Sequence, residues 1–303
     1  MQRPAKPFTP VRFRLQPPLV EKMKIGIIGF GFVGKALNNG LLSNVETYIV
    51  DPKLSTSIDG LIDFLPQIIF LCLPTPMNQE GDQDISILKS VLDELRANEK
   101  LNDATLVLKS TVIPSKLNQL TNSVNLVVNP EFLREASADR DFIDSEFILL
   151  GGSEDKCEKL RDFYLNYTKC RTDNFLITDK SSALLMKYTI NSFLASKVTF
   201  FNEIYNIHSK SGSDESWENF IRMVSSDKRI GQSHMQVPGP DGRKGFGGAC
   251  FPKDISALMH FAKSLGLEFD FFKKIIQINN RIRSDYDSLT EREKEQSVSF
   301  KDS

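Results

Sequence analysis

Cys250 sits in the run Gly245-Phe246-Gly247-Gly248-Ala249-Cys250-Phe251-Pro252-Lys253-Asp254, where glycines let backbone approach a ligand and a helix is expected to begin just afterwards. A thiol beside a helix N-terminus and a lysine has its thiolate favoured, which is what a nucleophile requires. A buried packing cysteine fits the same local pattern, so the loop alone leaves both readings open. A second run, Gly29-Phe30-Gly31-Phe32-Val33-Gly34, follows an apolar strand and opens a helix. Gly29 permits a tight turn, Gly31 lets backbone approach a pyrophosphate, and Gly34 lets helix and strand pack closely while the helix N-terminus attracts the anion. Asp51 ends the next strand, 20 residues after Gly31. A carboxylate there accepts hydrogen bonds from both ribose hydroxyls of a dinucleotide and repels a 2′-phosphate, so the expected cofactor is NAD rather than NADP.

The elements that must carry these groups follow from hydrophobic periodicity. From Met23 short apolar runs alternate with amphipathic ones: KIGIIGF, GKALNNGLL, ETYIVD, QIIFLCLP, a stretch near Ser86–Asn98, ATLVLKST, NLVVNP and EFILLGG. Such alternation predicts an α/β fold with an N-terminal Rossmann, doubly wound parallel sheet over residues 23–180. Leu73-Pro74-Thr75-Pro76 and Ser110-Thr111-Val112 follow two of its strands, at the carboxyl edge where ligands of such sheets collect. Residues 181–283 form a mainly helical central domain, opened by one long helix over Ser181–Ser211 and interrupted by a Gly/Pro-rich loop over Val237–Gly248. Exposed apolar positions on that helix and after Asp254 suggest a homodimer.

Residues 1–22 hold five prolines and five basic residues and read as a flexible leader, with Met23 as an alternative start; the charged stretch 284–303 reads as a frayed helix or a disordered tail. With 303 residues, 40% hydrophobic and 25% charged, the chain has enough apolar material for two domains. A net charge of −1 offers no general attraction for nucleic acid or an anionic membrane, and the partner is expected to be a small molecule. No apolar run spans a bilayer, and the first 22 residues lack the apolar core of a signal peptide, which predicts a cytoplasmic protein. Cys72, Cys157, Cys170 and Cys250 show no CxxC spacing; free thiols and no metal site are expected.

GFGGACFPKD resembles the nucleophile motif of the UDP-glucose/GDP-mannose dehydrogenase family. Three more segments match that family in order: GFGFVG, the run Asn129-Pro130-Glu131-Phe132-Leu133-Arg134-Glu135, and the helix carrying Lys187, Asn191 and Asn202-Glu203. With Arg229-Ile230-Gly231 the resemblance covers residues 24–283.

It implies that NAD takes a hydride from the C6 alcohol of a nucleotide sugar, that Cys250 captures the aldehyde as a thiohemiacetal, and that a second NAD leaves a thioester for water to cleave. Covalent capture keeps a reactive aldehyde from escaping between the oxidations. On this resemblance Glu131 is the general base for hydrolysis, Thr111 and Asp254 position the water, and Lys187 and Asn191 stabilise the oxyanion at C6. Contacts to NAD fall to Gly29, Phe30, Gly31, Phe32, Val33, Gly34, Asp51, Pro74, Thr75, Pro76, Ser110, Thr111, Glu135 and Lys253. Contacts to the substrate fall to Glu131, Phe132, Leu133, Arg134, Lys187, Asn191, Arg229, His234, Phe246 and Gly247. Relatives of the N-acetylhexosamine branch carry a histidine before the nucleophile and lack the Pro-Lys-Asp after it; Ala249 and Phe251-Pro252-Lys253-Asp254 here favour UDP-glucose or GDP-mannose. UDP-glucose, giving UDP-glucuronate, is the expected substrate as the commoner of the pair, with GDP-mannose as the alternative. Family members continue into a second Rossmann-like domain beyond the point where this sequence stops, so either a short form or a fragment is expected, with a non-catalytic NAD-binding homologue as a competing reading. A two-electron hydroxyacid dehydrogenase would share the fold and the lysine–asparagine pair, but would have no use for Cys250 or for NPEFLRE.

Overall fold

The apolar runs become strands whose central members are buried on both faces, because helices cover the sheet from either side. The computed structural model describes residues 22–78, 82–120, 125–295 and 297–300. The leader predicted over 1–22 lies, except for Lys22, outside the described residues.

In chain order the first lobe runs β1 (Met23–Ile28), α1 (Phe32–Asn39), β2 (Val45–Val50), α2 (Ile58–Phe64), β3 (Ile68–Leu71), α3 (Ser86–Arg96), β4 (Thr105–Leu108), α4 (Pro114–Leu120), β5 (Leu126–Val128), α5 (Ala138–Ile143), β6 (Ile148–Gly151), α6 (Glu154–Tyr167) and β7 (Phe175–Thr178). The sheet order is β2-β1-β3-β4-β5-β6-β7, so the strand order reverses between β1 and β3 and a crevice opens beyond their carboxyl ends. Every residue of β3, β4 and β6 is buried, whereas edge strands β2 and β7 are largely half-buried or exposed.

One departure from an all-parallel sheet is clear. β5 and β6 pair antiparallel, Val128 opposite Gly151, and β7 is parallel to β6. The segment between β5 and β6 holds an extended turn, a 3-10 turn and the six-residue α5, with no full-length return helix, so the chain re-enters the sheet from the same edge.

Beyond β7 the described residues contain no further strand. α7 (Lys180–Lys210) starts one residue ahead of the predicted Ser181, where its N-cap Asp179 accepts a hydrogen bond from Ser182 N at 2.9 Å. α8 (Trp217–Val224), α9 (Phe251–Ser264) and α10 (Asp270–Arg283) follow, and α9 and α10 pack on α7. Two small cores join them, one of Ile113, Tyr188, Ala257 and Leu258 and one of Ala195, Phe246, Ile255 and Ile275.

The charged end does not simply fray. α11 (Glu291–Glu295) brings Glu293 to 0% exposure and Val298 follows at 3%. Composition hides this because the burial of Glu293 depends on a cation, Arg283, brought from α10.

Candidate active site

Gly29, just after β1, has φ +92°, and a β-carbon there would lie 2.5 Å from Cys72 O, so only glycine fits the turn. A β-carbon on Gly34 would lie 2.2 Å from Gly29 O, which is the close helix–strand contact its motif position predicts. Gly31 has open space where its β-carbon would stand and is exposed at the head of α1, leaving room for a phosphate. Phe32 and Val33 are half-buried on the first turn of α1. Asp51 turns its carboxylate back onto this loop: Oδ2 accepts from Phe30 N at 2.7 Å and Oδ1 from Lys53 N at 2.9 Å. These features fit an NAD molecule laid across the crevice.

Thr75 and Ser110 are buried at the ends of β3 and β4; Pro74 is exposed and Pro76 half-buried. Thr75 Oγ1 donates to Thr111 O at 2.8 Å, and Ser110 Oγ donates to Leu73 O at 2.8 Å, so the two loops hold each other. Sequence reading missed the residue that centres them. Gln83 is 2% exposed; its amide donates to Thr111 O at 2.6 Å, to Thr75 Oγ1 at 3.2 Å and to Tyr188 OH at 3.3 Å, and accepts from Ile113 N at 3.0 Å. A glutamine in a polar loop carries no sequence mark of burial; only the fold reveals it.

The groups around the thiol converge from three elements. Lys187 and Asn191 stand one turn apart on the buried face of α7. Lys187 Nζ donates to the carbonyl of Glu131 and pairs with its Oε1 at 3.3 Å; Glu131 Oε2 accepts from Leu133 N at 2.6 Å. Asn191 donates to Asp254 Oδ2 at 2.6 Å, and Lys253 Nζ meets Asp254 Oδ1 at 2.6 Å. Glu131, Lys187, Asn191, Lys253 and Asp254 are all buried. Burial works against the Lys187 charge, but Glu131, Asp254 and Cys250 outweigh it and hold the ammonium above its usual range.

Cys250 occupies the N-cap of α9 and is half-buried. Contrary to the thiolate expected from its position, burial pushes the thiol up to about 11; Lys187 and Lys253 pull it down, while Glu131 and Asp254 push it further up. The helix terminus and lysines do not overcome the removal of water and two facing carboxylates. The same interactions show that Cys250 lies within electrostatic reach of all four charged groups.

The remaining positions divide. Phe132 packs under Lys187 Nζ, 5.1 Å from the ring centre, and Leu133 is half-buried beside it in the chain. The His234 ring lies tilted against Phe251 with 5.5 Å between ring centres; burial first, then Lys197 and Arg134, lower its pKa, and its Nδ1 is buried without a partner among the described residues. Arg134 is exposed and tied to Asp141 at 2.7 Å. Phe246 turns its ring into the core, leaving backbone for any ligand contact, and Gly247 packs on Arg283. Glu135 is exposed and lines a cavity of about 530 Å³ with Phe32, Lys35 and Asn39. Arg229 is not brought to the thiol; it is exposed and paired with Asp227 at 2.5 Å.

Fold and site together define a Rossmann dinucleotide-binding lobe joined to a helical lobe that presents a cysteine among buried lysines and carboxylates. The chain belongs to the UDP-glucose/GDP-mannose dehydrogenase family: residues 38–168 match the family's NAD binding domain and residues 181–281 its central domain. It is 35% identical to a UDP-glucose 6-dehydrogenase of Rickettsia bellii over 221 residues, covering 70% of this chain and 49% of the relative. It is 28% identical to the UDP-glucose 6-dehydrogenase TuaD of Bacillus subtilis, covering 86% and 63%. A UDP-glucose dehydrogenase structure from Pyrobaculum islandicum superposes with a TM-score of 0.71 at 25% identity, covering 88% of this chain and 70% of that one. The chain thus spans about half the length of the Rickettsia relative it matches. Among the described residues no helix is long and apolar enough to cross a membrane.

Proposed function

We propose that the chain carries the chemistry of an NAD-dependent, four-electron oxidation of a nucleotide sugar at C6, with UDP-glucose converted to UDP-glucuronate as the preferred case. The observation that carries this reading is the convergence of Lys187, Glu131, Asp254 and Lys253 on Cys250. Relatives named for UDP-glucose support the choice of sugar; GDP-mannose is the second candidate.

NAD, when bound, supplies the hydride acceptor for each oxidation. Gly29, Gly31, Gly34 and Asp51 hold its pyrophosphate and ribose ends, with Thr75, Ser110, Thr111, Glu135 and Lys253 toward the reacting end. Lys187, kept as an ammonium, and the second amide hydrogen of Asn191 steady negative charge on the C6 oxygen. The Cys250 sulfur adds to the aldehyde carbon as its proton passes to that oxygen, giving a thiohemiacetal. Removal of a second hydride and the hydroxyl proton leaves the thioester. Glu131 then takes a proton from water, with Thr111 and Asp254 orienting it; hydrolysis returns the Cys250 thiol and releases the carboxylate. A cytoplasmic setting suits the four free cysteines.

The test offers UDP-glucose, GDP-mannose and UDP-N-acetylhexosamines with NAD and counts NADH per sugar. Two NADH from UDP-glucose, lost in Cys250→Ser, is the expected result. One NADH per sugar is incompatible with a thioester, and NAD binding without NADH from any sugar favours a non-catalytic homologue.

A further inference from the structure

The glycine run leading to Cys250 is held from beneath by side chains rather than by a backbone ladder. Gly245 N donates to Asn202 Oδ1 at 2.9 Å, and Phe246 exchanges two hydrogen bonds with the Asn279 amide at 2.7 and 2.9 Å. The next anchor comes from the charged end of the chain. Glu293 Oε1 accepts from Gly248 N at 3.0 Å and from Arg283 Nη2 at 2.9 Å, while Oε2 accepts from Thr290 N at 2.7 Å. Glu293 N donates to Thr290 Oγ1 at 3.3 Å, completing a reciprocal capping box that fixes the carboxylate's direction.

Arg283 ties this carboxylate to the rest of the loop. It is 2% exposed, pairs with Asp241 Oδ2 at 2.7 Å and lies 5.3 Å from the Phe300 ring. Its guanidinium presses directly on Gly247, where a β-carbon would fall 1.4 Å from Nη2. The residues matched to the family's central domain end at 281, so Arg283 and Glu293 lie beyond that match.

We propose that Glu293 is a positioning residue for Cys250: through Gly248 N–H and Arg283 it sets the glycine run that leads into the nucleophile, and residues 288–295 brace the active-site loop. The inference rests on the reading of Cys250 as the nucleophile. Gly248 has φ +76° and stands two residues before the thiol, so a change in its backbone is passed almost directly to the sulfur. A frayed end would leave Arg283 with Asp241 as its one carboxylate partner among the described residues and Gly248 N without this acceptor. Hydrogen bonds from Thr290 and Gly248, and the Arg283 charge, overcome burial and hold the Glu293 pKa below its usual range. The brace is therefore engaged throughout the neutral range.

The experiment compares the wild-type chain, Glu293→Ala and Glu293→Gln. Alkylation of Cys250 by iodoacetamide is followed by peptide mass, with fully buried Cys157 in the same molecule as the control for unfolding. Turnover with UDP-glucose gives kcat, KM for NAD and NADH per sugar. For Glu293→Ala we expect the Cys250 alkylation rate to change by about fivefold or more with Cys157 still protected, and kcat to fall about tenfold at nearly constant KM for NAD. Glu293→Gln, whose carbonyl can still accept from Gly248, should recover most of the difference. Cys250 alkylation and kcat within about twofold of wild type in Glu293→Ala would overturn the proposal, as would Cys157 becoming reactive in step with Cys250. If wild type forms no NADH, the functional reading fails on its own, while the alkylation comparison still decides whether Glu293 sets the thiol.

Discussion

Around Cys250 the physical contest is between water removal and charge. A thiol pushed up to about 11 rather than 9.0 is two pH units further from ionisation, so at pH 8 its thiolate fraction is about 100-fold lower than that of an ordinary cysteine. Alkylation of Cys250 without ligands should accordingly be slow near neutrality and climb with pH toward 11; a plateau near pH 8 would contradict it. Lys187 is the counterweight, and Lys187→Met leaves Glu131 buried with its paired cation gone. We expect kcat to drop by about 10²–10³-fold, measured by NADH formation, and stability to fall by about 3–5 kcal/mol in urea titrations. His234 adds an acid-side effect. Its folded pKa is depressed, so the folded state binds fewer protons; the neutral ring's contribution is complete above pH 6.5 and is lost as pH falls below it. The reactive residue types were legible because motif and chemistry agree. The protonation of the thiol was not, since the carboxylates that oppose ionisation arrive from residues 131 and 254 and their distance is a property of the fold.

Among the elements, those with strong periodicity could be read directly: β1, β3, β4 and α7 lie where alternation and helical spacing put them. β7 passed unnoticed because an edge strand with two exposed residues has no buried-strand signature. The reversal at β6 was invisible as well, since direction depends on which sheet edge the chain returns to. Two substitutions probe how elements are joined. Gly34→Ala forces a methyl into the Gly29 carbonyl, so α1 must shift; weaker NAD binding by calorimetry and a lower Tm are expected. Gln83→Leu removes the amide that joins the β3 and β4 loops to α7 and orphans Ile113 N; a loss of about 1–3 kcal/mol is expected from denaturant midpoints.

For the molecule as a whole, the outward side of α7 is the feature that asks for a partner. Leu185, Phe193, Phe200 and Ile207 are 43%, 63%, 57% and 64% exposed and recur at seven- or eight-residue spacing along one stripe. A second copy meeting this stripe would cover an apolar face that a monomer leaves in water, and a dimer is the proposed state. Sedimentation velocity should show a dimer for wild type and a monomer for Phe193→Glu/Phe200→Glu; a wild-type monomer at micromolar concentration would remove the case.

α7 also works as a measuring rod. In the proposed reaction Lys187 and Asn191 address the reacting carbon, while Asn202, 15 residues beyond Lys187 on the same helix, anchors the loop that leads to Cys250. At 1.5 Å per residue that is a fixed offset of about 22 Å, and each residue turns the helix by about 100°. Inserting one residue between Asn191 and Asn202 would swing the anchor off the loop without altering any side chain that performs chemistry. Length between these marks is therefore under tighter constraint than the identity of most residues filling it.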